Sequence, residues 1–249
     1  MAQAMALLLE GAASGEEAAG FLMALRARGE TVGEITAAAR AMRDKALKVA
    51  TERDVVDTCG TGGDGAGTYN ISTAAALVAA GAGAAIAKHG NKAASSKSGS
   101  SDVLAALGIN LAASPQQISA CIDKAGVGFM FAAAHHKAVA HVADVRKKLG
   151  VRTLFNLLGP LTNPAGAKRQ LMGVFSKDLV RPLAEALMVL GARSAWVVHG
   201  SDGLDEITTT GETFVAAVEG GGRLRQIELA IALRDLGGPR DAFGRLGFG

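Results

Sequence analysis

Residues 54–73, DVVDTCGTGGDGAGTYNIST, constrain the fold more than any other stretch of the chain. The segment opens as a short β-branched run, Asp54, Val55, Val56, Asp57, Thr58 and Cys59. Residues 60–65 then supply Gly60, Gly62, Gly63 and Gly65. After Asn70 an alanine-rich helical pattern begins, with Ser72 and Thr73 at its mouth. A strand, a glycine loop and a helix start form one βα unit with an anion-binding turn. Glycines let backbone N–H groups approach a phosphate closely, and a helix N-terminus adds unpaired donors and partial positive charge. The plainer reading is a simple βα connection. Asp64, Asn70, Ser72 and Thr73 within the same loop favour a phosphate site.

The rest of the chain repeats that alternation. Residues 84–87, 127–131, 171–175 and 195–198 are short apolar runs that read as strands. Residues 103–107, 133–150 and 177–190 read as helical, and Ser114-Pro115-x-Gln117 opens another helix with Pro115 at its first position. Residues 109–111 read as a short strand, and 207–210 with 213–218 as a hairpin. Alternating β and α units predict an α/β fold: a mostly parallel sheet with helices on its faces. Residues 1–48 differ, with helical spacing throughout and two capping boxes, Ser14 with Glu17 and Thr31 with Glu34. Gly29 reads as the cap between those helices, and Arg26, Arg28 and Arg40 as a solvated face. Residues 223–249 are rich in arginine and glycine, with a short helix expected over 227–236. No repeat of 20–50 residues is present.

With 249 residues, 49% of them hydrophobic, the chain can build one large or two smaller domains. Aromatics are only 4%, so the core must come from small and aliphatic side chains. The net charge of +3 and pI near 9.0 are too mild to argue for nucleic acid. Cys59 and Cys121 share no zinc-ligand spacing and imply no disulfide framework, which fits a reducing cytoplasm. The N-terminus lacks the basic region of a signal peptide. The longest uncharged apolar run, 71–87, is interrupted by Gly81 and Gly83, so no membrane span is expected.

Ligands of open α/β sheets bind beyond the carboxyl ends of strands. Three polar loops stand at such ends, 60–73, 88–102 and 199–206. The second offers Lys88 and Lys97 with Ser95, Ser96 and Ser100, suited to another phosphate. The third offers Asp202, Asp205 and Glu206, suited to a hard divalent cation. Each has an ordinary reading as well: a solvated connection, a surface acidic pair. His135 and His136 are adjacent and must point apart, so one is expected to be exposed or packing. His141 reads as a surface residue and Arg146 as a helix-end cation. Together the loops describe a sugar bearing a phosphate and a diphosphate, with magnesium on the diphosphate.

In order, the strings GTGGDG (60–65), YNIST (69–73), KHGN (88–91), SSKSGSSD (95–102), FMFA (129–132), RKKLGVRT (146–153), FNLLGPLTNP (155–164) and HGSDGLDE (199–206) give a resemblance to the anthranilate phosphoribosyltransferase family. It covers roughly residues 15–220. The resemblance implies a small discontinuous all-helical domain, 1–50 plus about 133–158, and an α/β domain, 51–132 plus about 159–249. It implies transfer of a 5-phosphoribosyl group from phosphoribosyl diphosphate to the amine of anthranilate, in tryptophan biosynthesis, by a cytoplasmic homodimer using Mg2+, with two ions expected. By motif match, Gly60, Gly63, Asp64, Thr68, Asn70, Ser72, Thr73, Lys88, Ser96, Gly99 and Ser100 would bind phosphoribosyl diphosphate. Gly60, His89, Asn91, His136, Arg146, Gly159 and Pro160 would bind anthranilate. Ser72, Asp205 and Glu206 would hold metal, and no strong general base is implied.

Lys92, Tyr69 and Ala133 depart mildly from the family pattern, where arginine, phenylalanine and proline are frequent. The family usually has a further helix before Met1 and continues past 222 with further helices. Residues 223–249 do not read as that continuation, so a truncated, engineered or frame-altered chain is expected. Three other readings stay open: an inactive fragment, a nucleic-acid-binding relative without activity, and a pyrimidine nucleoside phosphorylase.

Overall fold

A computed structural model describes residues 1–92, 98–220 and 222–230. Three helices come first: α1 (Ala2–Glu10), α2 (Gly15–Arg28) and α3 (Val32–Lys45). Both expected capping boxes form. Ser14 Oγ accepts from the Glu17 N–H at 3.2 Å while Glu17 accepts from the Ser14 N–H at 2.8 Å. Thr31 and Glu34 make the same reciprocal pair, and burial of Leu22 and Leu25 faces α2 to the helix at Ala140–Leu149 while Ile35, Ala38 and Ala39 face α3 to the core. Arg26, Arg28 and Arg40 are exposed, as expected, and each also makes a surface contact. Arg26 donates to the Arg152 carbonyl at 2.6 Å, Arg28 pairs with Glu34, and Arg40 donates to the Val189 carbonyl at 3.2 Å.

The α/β part follows as β1 (Val56–Asp57), α4 (Ile71–Gly81), β2 (Ile86–Gly90), α5 (Ser100–Ala106), α6 (Pro115–Ala125) and β3 (Val127–Phe131). Next come α7 (Ala132–His135), α8 (Ala140–Leu149), α9 (Phe155–Leu158), β4 (Arg169–Gly173), α10 (Val180–Val189), β5 (Ser194–Gly200), β6 (Glu212–Glu219) and β7 (Arg223–Ala230). The sheet order is β3-β2-β1-β4-β5-β6-β7. Every pair from β3 to β5 is parallel, and β5-β6 and β6-β7 are antiparallel. β1 is short: Val56 lies level with Ile86 of β2 and Arg169 of β4, and Asp57 with Gln170.

Two clusters of buried side chains hold the layers together. The larger joins α1–α3, α9 and α10 to β4, β5 and β6 through residues such as Leu22, Ile35, Leu158, Leu183, Val197 and Ala216. The smaller packs α6 on β1–β3 through Val55, Ala87, Ile118, Ile122 and Met130. Ile118 and Ile122 are each worth about 1.5–3 kcal/mol of apolar burial. Gly128 makes that packing close, since a Cβ there would lie 2.7 Å from Ile122 Cγ1. α8 packs against α1 and α2, so the segment after β3 returns to the N-terminal helices.

Four expectations fail. The helix over 227–236 is not formed up to residue 230, because residues 223–230 are strand β7. Non-local pairing with the otherwise open edge of β6 overrides helical preference there. Residues 231–236 lie outside the described residues. The hairpin of 207–210 with 213–218 is absent; β6 pairs with β5 and β7, while the Thr208 and Thr210 hydroxyls donate to the Asp202 carboxylate. The strand at 109–111 is a turn held by Asn110, whose side chain accepts from the Ala112 N–H at 2.9 Å. The helix over 133–150 is broken into α7, a 3-10 turn at Lys137–Val139 and α8. Among the described residues no helix is long and apolar enough to cross a membrane.

Candidate active site

The site lies where β1 ends between longer neighbours. The glycine loop leaves β1 with Gly62 and Gly63 at φ 63° and 82°, conformations that favour glycine, and turns the chain back toward α4. Gly60 is held close, as a Cβ there would meet the Gly173 carbonyl oxygen at 2.9 Å and Asp205 Oδ2 at 3.3 Å. The Thr61 N–H donates to the Gly173 carbonyl at 2.9 Å, and the Phe175 N–H donates to Thr61 Oγ1 at 3.1 Å. The loop after β1 is therefore fastened to the end of β4 and touches the acidic loop after β5. A cavity of about 170 Å³ lies between them, lined by Thr58, Gly60, Ser72, Leu171, Gly173 and Glu206 among others.

Charge is concentrated at this junction. Lys88 is buried, and its ammonium donates to the Thr58 carbonyl at 2.9 Å and to Ser72 Oγ at 3.2 Å. Burial lowers its pKa, opposed by Asp57. Burial, with repulsion from Asp64 next, raises Asp205 to about 6. Burial, with repulsion from Asp205 next, raises Glu206 to about 7. Asp64 Oδ1 accepts from the Ala66 N–H at 3.2 Å, while its Oδ2 is buried without a partner. Asp64, Asp205 and Glu206 repel one another here, and each offers the hard carboxylate oxygen that a divalent cation takes.

The histidine side is different. His89 and His136 are buried with ring centroids 5.1 Å apart, and Nε2 of each lacks a partner. Burial, reinforced by neighbouring histidines, lowers His89 to about 3 and His136 to about 4, so both rings are neutral at physiological pH. His135 is buried too, not exposed, with Nδ1 2.7 Å from the Leu47 carbonyl oxygen. Gly159 lies beside His89, and the buried Pro160 carbonyl accepts from Gln170 Nε2 at 2.7 Å. Arg146 projects from α8 over the Phe155 ring at 5.3 Å, and burial lowers its pKa. No described contact joins Arg146 to the histidine pair.

The remaining expected residues scatter around this centre. Asn70 Nδ2 donates to Ser98 Oγ at 3.0 Å, linking the glycine loop to the loop after β2. Thr73 is buried with its hydroxyl unpartnered, and Thr68 is exposed. The Asn91 carbonyl accepts from the Ser101 N–H at 3.3 Å, and Gly99 and Ser100 open α5. Ser96, with Ser95 and Lys97, lies outside the described residues.

Three residues at the site were not anticipated. Arg152 stacks 4.1 Å over Phe175 and donates to the Gly63 carbonyl, clamping the glycine loop to the segment after α8. Asp57 and Asn163 meet at 2.7 Å in the buried floor. Arg152 and Asn163 stand inside the recognised strings and Asp57 just before one, so proximity to those strings was the available signal.

Two family models match. One, described as the glycosyl transferase family helical bundle domain, covers residues 1–46; the other, the glycosyl transferase family a/b domain, covers 52–237. Both reach beyond the 15–220 limits drawn from motifs. The anthranilate phosphoribosyltransferase of Afipia carboxidovorans is 60% identical over 86% of this chain and 64% of its own length. That of Parvibaculum lavamentivorans is 56% identical over 95% of this chain and 69% of its own. The crystal structure of anthranilate phosphoribosyltransferase from Thermus thermophilus superposes with a TM-score of 0.84 at 52% identity, covering 91% of this chain and 68% of that one. The Saccharomyces cerevisiae enzyme in complex with PRPP and Mg gives 0.80 at 32% identity, covering 90% and 65%. The chain thus spans about two thirds of the length of these relatives. Matched over both its helical and its a/b region, the chain belongs to the anthranilate phosphoribosyltransferases.

Proposed function

We propose that the protein transfers the 5-phosphoribosyl group of phosphoribosyl diphosphate to the amine of anthranilate, giving N-(5-phosphoribosyl)anthranilate and pyrophosphate in cytoplasmic tryptophan biosynthesis. The observation that carries this reading is the junction of opposite chemistries at the end of β1. A glycine loop, a buried ammonium and three carboxylates stand on one side, and two neutral buried imidazoles on the other. The family relatives and the yeast complex with PRPP and Mg support the same substrates.

In this reading Gly60, Gly63, Asp64, Thr68, Asn70, Ser72, Thr73 and Lys88 hold the diphosphate and ribose side, with Ser96, Gly99 and Ser100 at the 5-phosphate. Ser72, Asp205 and Glu206 hold Mg2+, with Asp64 beside them, and two ions are expected. Bound Mg2+ supplies charge neutralisation for the diphosphate as the C1′–O bond breaks. Backbone N–H groups of the glycine loop and the Lys88 ammonium offset the same developing charge. His89, Asn91, His136, Gly159 and Pro160 enclose anthranilate with Gly60, and Arg146 takes its carboxylate bidentately. The anthranilate nitrogen is a neutral arylamine and attacks C1′ with its lone pair as the C1′–O bond breaks, and the proton it then sheds goes to the departing pyrophosphate or to water. Because His89 and His136 are neutral, their free Nε2 atoms orient the amine without needing to remove a proton first. Positioning and electrostatics then supply the rate enhancement.

A homodimer belongs to the same proposal. So does the division into a helical part, 1–50 plus about 133–158, and an α/β part, which the packing of α8 on α1 and α2 supports. Loss of anthranilate fluorescence on adding phosphoribosyl diphosphate tests the activity. Decay that requires Mg2+ is expected; a flat trace from folded protein would refute it.

A further inference from the structure

We propose that Asp57 is a positioning residue for the acceptor side of the site. Its buried carboxylate replaces the strand pairing that β1 no longer provides and fixes the His89 backbone against Asn163. The proposal rests on reading the His89 side as the acceptor pocket.

β1 stops at Asp57, yet β2 runs on through Lys88, His89 and Gly90. The His89 N–H faces the vacated ladder position and donates to Asp57 Oδ1 at 3.1 Å. A side-chain oxygen thus stands where a neighbouring strand would have placed a carbonyl. Asp57 Oδ2 accepts from Asn163 Nδ2 at 2.7 Å and from the Cys59 thiol at 3.2 Å. Asn163 Nδ2 also donates to the Ala87 carbonyl at 2.8 Å, and its Oδ1 accepts from the Ala165 N–H at 2.8 Å. One carboxylate therefore locks β1, the end of β2 and the segment carrying Gly159 and Pro160 in a single arrangement.

Asp57 is fully buried, and an apolar residue there would avoid the cost of desolvating a charge. Burial pushes its pKa up, against the pull of Lys88 and its three donors. Asp57, Cys59 and His89 also bring ligand-type atoms within 4.8 Å of one another. Both carboxylate oxygens are already engaged, however, and burial beside Asp57 pushes the Cys59 thiol well up, so the trio is a hydrogen-bonded hub rather than a metal site. The Asp57 donors come from the acceptor side and from its own strand end; none comes from residues 60–67. A one-sided arrangement predicts a one-sided effect.

The test uses Asp57→Asn, Asn163→Asp and the double exchange. In Asp57→Asn an amide donor replaces one carboxylate oxygen; it either faces the Asn163 donor or turns toward the His89 N–H. The anthranilate KM should rise about tenfold or more, with the phosphoribosyl diphosphate KM within about threefold of wild type. The double exchange restores a donor facing an acceptor between positions 57 and 163 but turns an oxygen of the new carboxylate on the Ala87 carbonyl, so it should recover only part of the anthranilate KM. An unchanged KM, or equal rises for both substrates, would overturn the proposal. Amide hydrogen exchange over residues 86–90 reads the same hub without activity. Exchange at His89 should quicken about tenfold in Asp57→Asn and slow part of the way back in the double exchange. If wild type has no turnover, the transferase reading fails, and unchanged exchange at His89 overturns the positioning claim separately. Should Asp57→Asn not fold, Asn163→Ala keeps the carboxylate and must still quicken that exchange.

Discussion

In the absence of metal, Glu206→Gln should make the protein more stable at neutral pH. Burial, with repulsion from Asp205 next, holds the Glu206 carboxyl at about 7 rather than its ordinary 4.5. Between those values the folded protein keeps a proton that the unfolded chain has lost, so stability falls as pH rises through the window. At about 1.36 kcal/mol per pH unit the deficit above pH 7 is about 3 kcal/mol. A neutral glutamine of the same shape removes it. For a domain of this size each kcal/mol moves Tm by about 2–4 °C, so a gain of about 6–12 °C is expected at pH 7.5. At pH 4.5, where the folded protein already carries the proton, the gain should nearly vanish. Thermal unfolding in EDTA at both pH values is the assay. Equal Tm values for wild type and Glu206→Gln at pH 7.5 would refute the claim that crowded, unneutralised carboxylates strain this loop. The same substitution should depress turnover, because the charge that destabilises the metal-free protein is the one proposed to hold Mg2+.

Changing Asp205 and Glu206 together to alanine should lower turnover by about a hundredfold or more, read by anthranilate fluorescence at saturating substrates. Arg146→Ala should raise the anthranilate KM about 10- to 100-fold, the worth of a charge-assisted bidentate contact, with kcat little changed. An unchanged KM would move the carboxylate site elsewhere. Gly60→Ala forces a methyl against the Gly173 carbonyl, so kcat/KM for phosphoribosyl diphosphate should fall about 10- to 100-fold. It should also cost about 1–3 kcal/mol of stability in denaturant titration.

Local signals in the chain were readable. Ser14 with Glu17, Thr31 with Glu34 and Ser114 with Gln117 each start a helix by bonds between neighbours in sequence, and each helix forms where those residues stand. The glycine loop was readable for the same reason. Strand β7 was not, because its existence depends on the edge of β6 rather than on its own composition. Asp57 in an apolar run carried no mark of the partners that bury it, which come from positions 89 and 163. Arg26 read as surface charge and Arg152 only as part of a motif, yet their contacts cross from one region of the chain to another. Contacts of that kind are fixed by packing and leave little trace in spacing.

The shortness of β1 has a consequence for where substrates can sit. Level with Ile86 and Arg169 the three central strands are laced together, but Lys88, His89 and Gly90 on one flank and Leu171, Met172 and Gly173 on the other continue past the point where the middle strand departs. The cleft is therefore not hollowed out of a core. It is a notch left by an unfinished strand, bordered by two rails of backbone whose spacing the sheet itself sets. Its width is inherited from the interval between alternate strands, so loops can vary in sequence without altering the gauge of the slot they roof.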